Sequence, residues 1–294
     1  MTDPAFDYGR AFSRNLGWVT EREQALLRSK TVAIAGMGGV GGHHLLALTR
    51  LGIGNFRIAD FDHFELENFN RQAGASLSTL DARKAETMAA LAREINPQAK
   101  IDIYGHGISR SNVDAFLADA DVYLDGIDFF AFDARRAVFS ACDRLGIPAV
   151  TAAPLGMGAA LLVFMPGKMS FDEYFRWGDC SDIEKAVRFM VGLAPSMLHD
   201  YLVDATRINF AMKAGPSTST ACYLCAGMAA TEALKILLER GPVTCAPRGQ
   251  HFDAYRGKLA KTWRPWGNAN PIQRALIAIG MRRFSGRAFQ EQVS

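Results

Sequence analysis

The residues Gly36-Met37-Gly38-Gly39-Val40-Gly41 have the spacing G-x-G-x-x-G. Glycines so placed allow a tight turn and let backbone amides approach an anion, and the first amides of a following helix point at it. The chemistry this suits is phosphate binding. Asp60 lies 19 residues beyond Gly41. An acid at that distance can accept hydrogen bonds from ribose hydroxyls, which serves NAD and ATP alike. The stretch that separates the two begins at Asp60-Phe61-Asp62 and ends at Asn70-Arg71-Gln72, with Lys84 shortly after. Backbone amides suffice for a dinucleotide pyrophosphate. A triphosphate about to lose pyrophosphate needs cations on its outer phosphates. Arg71 can grip phosphate oxygens with its planar fork, Lys84 adds a point charge, and Asn70 and Gln72 offer neutral hydrogen bonds. Taken singly, each of these residues reads as part of a solvated polar loop.

The elements that must position them follow from the hydrophobic pattern. Thr31–Ala35 is a short apolar run, a buried parallel strand, placed directly before the glycines. His43–Leu51 reads as a helix and Asn55–Asp60 as a second strand ending in an acid. Phe61–Leu80 has no clean period and is the expected site loop. A helix is predicted over Asp81–Ile95, with Asp81 as its cap and Asn96-Pro97 as its stop. A third strand follows at Ile101–Tyr104, then a short helix (Asn112–Ala118), a fourth strand (Val122–Asp125), a helix (Phe132–Leu145) and a fifth strand (Pro148–Thr151). This order predicts an α/β, Rossmann-like, mostly parallel sheet with helices on both faces, its site beyond the carboxyl ends of the strands. Gly36, Asp60 and Asp125 all fall there.

Leu145–Gly167 carries no charge, yet Pro148, Pro154, Pro166, Gly156 and Gly158 cut it into two buried strands rather than a membrane helix. Beyond it, Ser170–Leu202 reads as amphipathic helix interrupted by Pro195, and Ala221–Glu239 as a long helix. Gln250–Tyr255 and Lys258–Trp263 form an antiparallel hairpin about Arg256-Gly257, and Pro271–Phe284 a last helix. The expectation is one domain over 1–294. Residues 1–30 form a helical lead-in, 31–165 the nucleotide-binding core, and 166–294 a C-terminal extension of substrate-side helices, hairpin and terminal helix.

The 294 residues are 49% hydrophobic and 21% charged, with a net charge of +3, which neither requires nor excludes an anionic partner. Five cysteines, an odd count, with a polar Met1 to Arg10 carrying Asp3 and Asp7, point to reduced thiols in the cytoplasm and no signal peptide.

The string from Val32 to Lys84 resembles the adenylation core of the ThiF/MoeB family, which includes the enzymes that activate ubiquitin-like proteins. The features that carry the resemblance are GxGGxG, then D-x-D, then N-x-N-R-Q, then a helix bearing lysine, then Asn-Pro. Val122–Asp128 (VYLDGID) is similar to the family's later D-x-x-D segment, and Ile147–Thr151 to its next strand. The likeness spans about residues 10–165 and is faint afterwards, apart from Ala229–Leu237. It implies that Asp60 holds the ribose, that Asn70, Arg71 and Lys84 contact the phosphates, and that Asp128 holds Mg²⁺ near the α-phosphate. Arg14 resembles an N-terminal arginine that reaches across a homodimer to the partner's ATP. The bland alternatives are a helix cap before Phe132 for Asp128 and a loose surface residue for Arg14.

Departures from the family pattern bear on the chemistry. Only one CxxC pair is present, Cys222 with Cys225, and Cys180 and Cys245 are isolated, so zinc is not expected and buried small hydrophobes are. Cys180 stands where a thiol could take over an acyl group, but the flanking Asp179 and Asp182 would raise its pKa. Phe129 stands where the family often has asparagine. His43 and His44 point in different directions on a helix, which argues against a shared metal and leaves one of them to approach the nucleotide. Trp263 and Trp266 are expected to pack on the sheet edge, with partner contact as the alternative.

The resemblance therefore implies ATP-dependent adenylation of a carboxylate with release of pyrophosphate, in a homodimer with no membrane association. The substrate would be the C-terminus of a ubiquitin-like or sulfur-carrier protein, a peptide or a small acid. The tRNA-modifying branch draws little support from a charge of +3. An NAD(P)-dependent oxidoreductase would leave Arg71 and Lys84 unused. A non-catalytic nucleotide-binding partner subunit would have no need of Asp128, Arg71 and Lys84.

Overall fold

The computed structural model describes residues 6–208 and 215–291. The leader reading of Met1 to Arg10 thus rests partly on residues outside the described ones. Eight strands form one sheet in the order β3-β2-β1-β4-β5-β6-β7-β8. β1 (Thr31–Ala35) lies between β2 (Asn55–Ala59) and β4 (Val122–Asp125), with β3 (Lys100–Tyr104) outside β2 and β5 (Ala149–Leu155) outside β4, all parallel. Alternation along β1 divides the core. Val32 and Ile34 face α3 (Gly41–Arg50), α4 (Lys84–Ile95) and α9 (Ser219–Leu237). Ala33 and Ala35 face the side of α5 (Val113–Leu117), α6 (Phe132–Leu145), α7 (Phe171–Phe175) and α8 (Asp182–Leu193). The second face is aromatic: Phe139, Phe171, Trp177 and Phe189 interlock there.

The uncharged stretch is two buried strands, as predicted. β5 runs through Pro154 to a tight turn at Gly156, whose φ of 67° suits glycine, and β6 (Gly158–Phe164) returns antiparallel. The predicted hairpin is β7 (Arg248–Asp253) with β8 (Lys258–Trp263), and β7 pairs antiparallel with β6, so the hairpin extends the main sheet. Two short helices, α1 (Tyr8–Ala11) and α2 (Glu21–Ser29), precede the sheet. The latter starts with a capping box between Thr20 and Glu23. α10 (Pro271–Glu291) is the last element among the described residues. Among the described residues no helix is long and apolar enough to cross a membrane.

Four sequence expectations are corrected. Asp81 is not a cap: it sits at φ 61°, the helix begins only at Lys84, and its N-cap Arg83 makes no side-chain cap bond. The extended bridge of His63 to Arg83 holds the preceding segment out of the helix. The helix after the glycines begins at Gly41, two residues early, because the last glycines themselves take helical conformation. Ser170–Leu202 is two helices, broken at Arg176, which adopts a left-handed conformation, and the second ends at Leu193 with Ala194 as its C-cap, before Pro195. Trp263 and Trp266 do not pack under the edge but stand exposed, with Arg248 over the Trp263 ring.

His44 is fully buried on α3, and neither ring nitrogen has a hydrogen-bond partner among the described residues. Burial, then the neighbouring His43, pushes its pKa down to about 3. A folded-state pKa below the unfolded 6.5 means that the unfolded chain takes the proton first. Stability is therefore full above about pH 6.5 and falls as pH drops toward the folded value. By pH 4 the loss from this residue is roughly 3 kcal/mol. His44→Leu is expected to flatten the melting-temperature profile between pH 6.5 and 4. A profile as steep as the parent's would show that His44 is not responsible.

Candidate functional site

The glycine turn leaves β1 at the carboxyl rim of the sheet. The Gly36 amide donates to the Ala59 carbonyl at 2.7 Å, and Gly36 takes φ 87°. Its four glycines fall into two kinds. A Cβ on Gly36 would lie 2.1 Å from the Gly126 carbonyl oxygen, and one on Gly41 1.7 Å from the Gly36 oxygen. The backbone crowding of the fold itself demands these two. A Cβ on Gly38 would meet the Gln72 amide at 3.6 Å, and one on Gly39 would meet Cys222 Sγ at 3.4 Å and Arg71 Nε at 4.0 Å. Among the described residues the nearest atoms to both positions belong to side chains at ordinary contact distance, so what these two keep clear is the space above the turn.

The predicted residues gather around that space. Asp60 Oδ2 accepts from the Met37 amide at 2.6 Å, and Oδ1 from the Asp62 amide at 2.8 Å. Burial pushes its pKa up, against the opposing pull of the two amides and Lys84. Each carboxylate oxygen keeps a further lone pair for a hydroxyl donor. Lys84 opens α4 with its amide on the Asp62 carbonyl at 2.9 Å, and its ammonium reaches the Asp62 carboxylate at 3.5 Å while almost wholly buried. The Arg71 guanidinium is braced by Nη1 donating to the Glu67 carbonyl and to Asn70 Oδ1, both at 2.8 Å. Asn70 Nδ2 in turn donates to the Ser217 carbonyl at 3.0 Å, just before α9. Gln72 is buried, its Oε1 without a partner among the described residues.

Two features escaped sequence reasoning. His43 Nε2 lies 3.0 Å from the Arg71 carbonyl, and its ring meets Tyr223 edge-on at 4.5 Å between centroids. A carbonyl only accepts, so Nε2 carries the hydrogen. The second is Arg135. Asp125 is buried, and its Oδ2 accepts from Arg135 Nε and Thr151 Oγ1, both at 2.9 Å, while Oδ1 takes the Ile127 amide at 3.2 Å. Arg135 also donates to the Phe129 carbonyl at 3.1 Å and lies over the Phe189 ring. It thus locks the turn that carries Asp128. An arginine ten residues from an acid, at the end of one strand and in the next helix, was the available signal.

Asp128 is exposed at the same rim. Its Oδ1 accepts the Phe130 amide at 2.9 Å, an Asx turn, whereas the N-cap of α6 is Ala131, without a side-chain cap. Phe129 joins the aromatic face through Phe132 and Phe189. Arg14 lies in the single turn Ser13–Asn15, exposed, with no hydrogen bond or ion pair among the described residues. Cys180 is half-buried. Burial raises its pKa, opposed by Arg188, and the acid that adds to the rise is Glu184, through a hydrogen bond and its charge, rather than the expected Asp179 and Asp182. Cys222 and Cys225 are buried in the first turns of α9, their thiols pushed up by burial. Among the described residues no three His, Cys, Asp or Glu side chains are grouped to hold a metal.

Comparison with known proteins places this geometry. The ThiF family model matches residues 12–273. Adenylyltransferase and sulfurtransferase MOCS3 of Arabidopsis thaliana is 32% identical over 173 residues, 56% of this chain and 37% of that protein. Sulfur carrier protein ThiS adenylyltransferase of Escherichia coli (strain K12) is 31% identical over 144 residues, 49% of this chain and 56% of that protein. The chain thus spans about a third to just over half the length of these relatives. Among solved structures, E. coli MccB with ATP superposes at a TM-score of 0.61 with 18% identity, over 82% of this chain and 65% of that one.

Proposed function

The chain belongs to the ThiF family, and from that premise we propose that it binds ATP at the glycine turn and adenylates a carboxylate. A carboxylate oxygen attacks the α-phosphorus, the bond to the bridging oxygen breaks, and pyrophosphate leaves with that bond's electrons. The product is an acyl-adenylate. The protein's part is positioning and charge neutralisation. The amides after Gly36 and at the start of α3 face the phosphates, and Asp60 accepts from the ribose. Arg71 and Lys84 neutralise the departing pyrophosphate, with Asn70 and Gln72 beside them and Asp62 steering the Lys84 ammonium. The observation that carries the reading is the open space over Gly38 and Gly39, with Arg71 Nε 4.0 Å from where a Gly39 Cβ would stand.

Asp128 fits Mg²⁺. Its other carboxylate oxygen accepts no hydrogen bond among the described residues. Magnesium is ordinarily held by one or two carboxylates together with phosphates and water, so a three-ligand protein cage is not required. When bound, the ion would neutralise charge on the phosphates. Arg14, exposed and without a hydrogen bond or ion pair among the described residues, suits a reach to a second copy's nucleotide, which makes the working unit a homodimer. The five free cysteines suit a reducing, cytoplasmic setting.

The acceptor is a carboxylate on a carrier protein or peptide. An RNA-borne carboxylate is the second reading, favoured by one feature of the hairpin. Arg248, Lys258 and Lys261 stand exposed beside the exposed rings of Tyr255 and Trp263. An NAD(P) reading leaves the Arg71–Lys84 cradle without a task.

Acceptor-dependent ATP–pyrophosphate exchange tests the proposal, with carrier C-termini, peptides, small acids and RNA as separate arms. Arg71→Ala and Asp128→Ala should each lower exchange by roughly 10²-fold, as loss of one transition-state charge contact does. Exchange that survives both changes would reject the site. ATP with Mg²⁺ should raise the melting temperature and NAD should not.

A further inference from the structure

We propose that His43 is a positioning residue that fixes Arg71 over the glycine turn, a role that rests on the ATP reading above. The two phosphate-facing parts of the site come from different segments. The amides belong to β1 and α3, and the guanidinium belongs to the turn at Asn68–Arg71. The chain between them runs out along β2 and through the loop, so sequence proximity does not hold their spacing.

His43 bridges the gap. It sits on the first turn of α3, two residues after Gly41, and is nearly buried. Its Nε2–H donates to the Arg71 main-chain carbonyl at 3.0 Å. Burial lowers its pKa, so the ring is neutral at pH 7 with a single N–H, and the Arg71 carbonyl selects the tautomer. Tyr223, on the outer side of α9, closes edge-on against the ring. One residue earlier, Cys222 Sγ lies against Gly39. Helix α3, the arginine turn and α9 therefore meet at one imidazole. The guanidinium is braced independently by Glu67 and Asn70, so His43 sets where the Arg71 backbone stands and the other two set where its fork points. His43 does not touch the reacting atoms.

Steady-state exchange kinetics with ATP and acceptor varied separately test this. His43→Leu removes the donor and is expected to raise KM for ATP about tenfold, with KM for the acceptor within twofold. His43→Gln, which can still donate to the carbonyl, is expected to recover most of the loss. In an Arg71→Ala background His43→Leu should add nothing further to KM for ATP, because the two act through one group. Should the leucine variant fail to fold, His43→Phe keeps a ring against Tyr223 without the donor and is read in the same way. Equal KM values for ATP in the parent, leucine and glutamine proteins overturn the proposal. So do equal losses in both variants, or additivity with Arg71→Ala, each of which marks packing alone. A parent protein that neither exchanges pyrophosphate nor gains melting temperature with ATP overturns the ATP reading itself, and this proposal with it.

Discussion

Gly41→Ala destroys the nucleotide site by unmaking the turn, whereas Gly38→Ala leaves the fold intact and removes only the ligand. The first Cβ would be forced to 1.7 Å from the Gly36 carbonyl oxygen and 2.8 Å from its carbon, and both are backbone atoms that cannot swing aside. The Gly36 amide is held by Ala59 and Gly126 is pressed against Gly36, so β1, β2 and β4 would all have to shift. The cost is at or beyond the upper end of overpacking penalties, about 3 kcal/mol. A drop in melting temperature of roughly 6–12 °C and complete loss of the ATP-dependent shift are expected. On Gly38 the new methyl would meet the Gln72 amide at an ordinary 3.6 Å. Its melting temperature should stay within about 2 °C of the parent's, which is the range of a surface change. Its ATP-dependent shift should be lost, because the methyl occupies the space left for phosphate. Thermal melts with and without ATP decide the matter. A Gly38→Ala protein that still responds fully to ATP would mean that phosphate does not lie over the turn.

The second large effect belongs to the pair Asp125 and Arg135. Both are almost wholly buried, joined at 2.9 Å, and the remaining Asp125 bonds go to Thr151, Ile127 and the Tyr123 hydroxyl. Asp125→Ala leaves a guanidinium buried without its carboxylate. Removing one partner of a buried pair typically costs about 3–5 kcal/mol. Thr151→Val removes one neutral donor from the same carboxylate and should cost about 1 kcal/mol. Because Arg135 also holds the Phe129 carbonyl, exchange activity should fall with Asp125→Ala even at temperatures where the protein is folded. Urea unfolding of the two variants gives the comparison. Equal, small losses would show that solvent reaches the pair and that it is no strut.

This pair also shows where the sequence stops speaking. Asp125 was legible as an acid at a strand end, and together with Gly36 and Asp60 it marked the carboxyl rim. That it faces inward on Arg135 depends on how α6 docks against β4, which no local pattern encodes. The strands and the hairpin were legible because their apolar alternation and their glycine or proline breaks are local. Asp81 misled for the opposite reason. An acid before a helical run resembles a cap, but the tertiary bridge between His63 and Arg83 delays the helix to Lys84. The sequence leaves either His43 or His44 to approach the nucleotide and does not show His43 bound to Arg71, since that partner, a main-chain carbonyl 28 residues away, leaves no signature in side-chain types. The tryptophans are expected to pack on the sheet edge, but among the described residues β8 has no strand on its far side and both rings stand exposed.

That last position has a bearing on how the protein behaves among its own copies. An outermost strand offers unpaired amide and carbonyl groups, and rows of identical chains can grow from such a margin into fibres. Here the margin carries exposed Lys258 and Lys261, and Pro265 stands two residues beyond its end at Trp263. In-register stacking would bring like ammonium groups to the roughly 4.8 Å spacing of neighbouring strands, where they repel. The same lysines that colour the surface positive thus act as a safeguard against self-assembly, and shielding them with salt would weaken it.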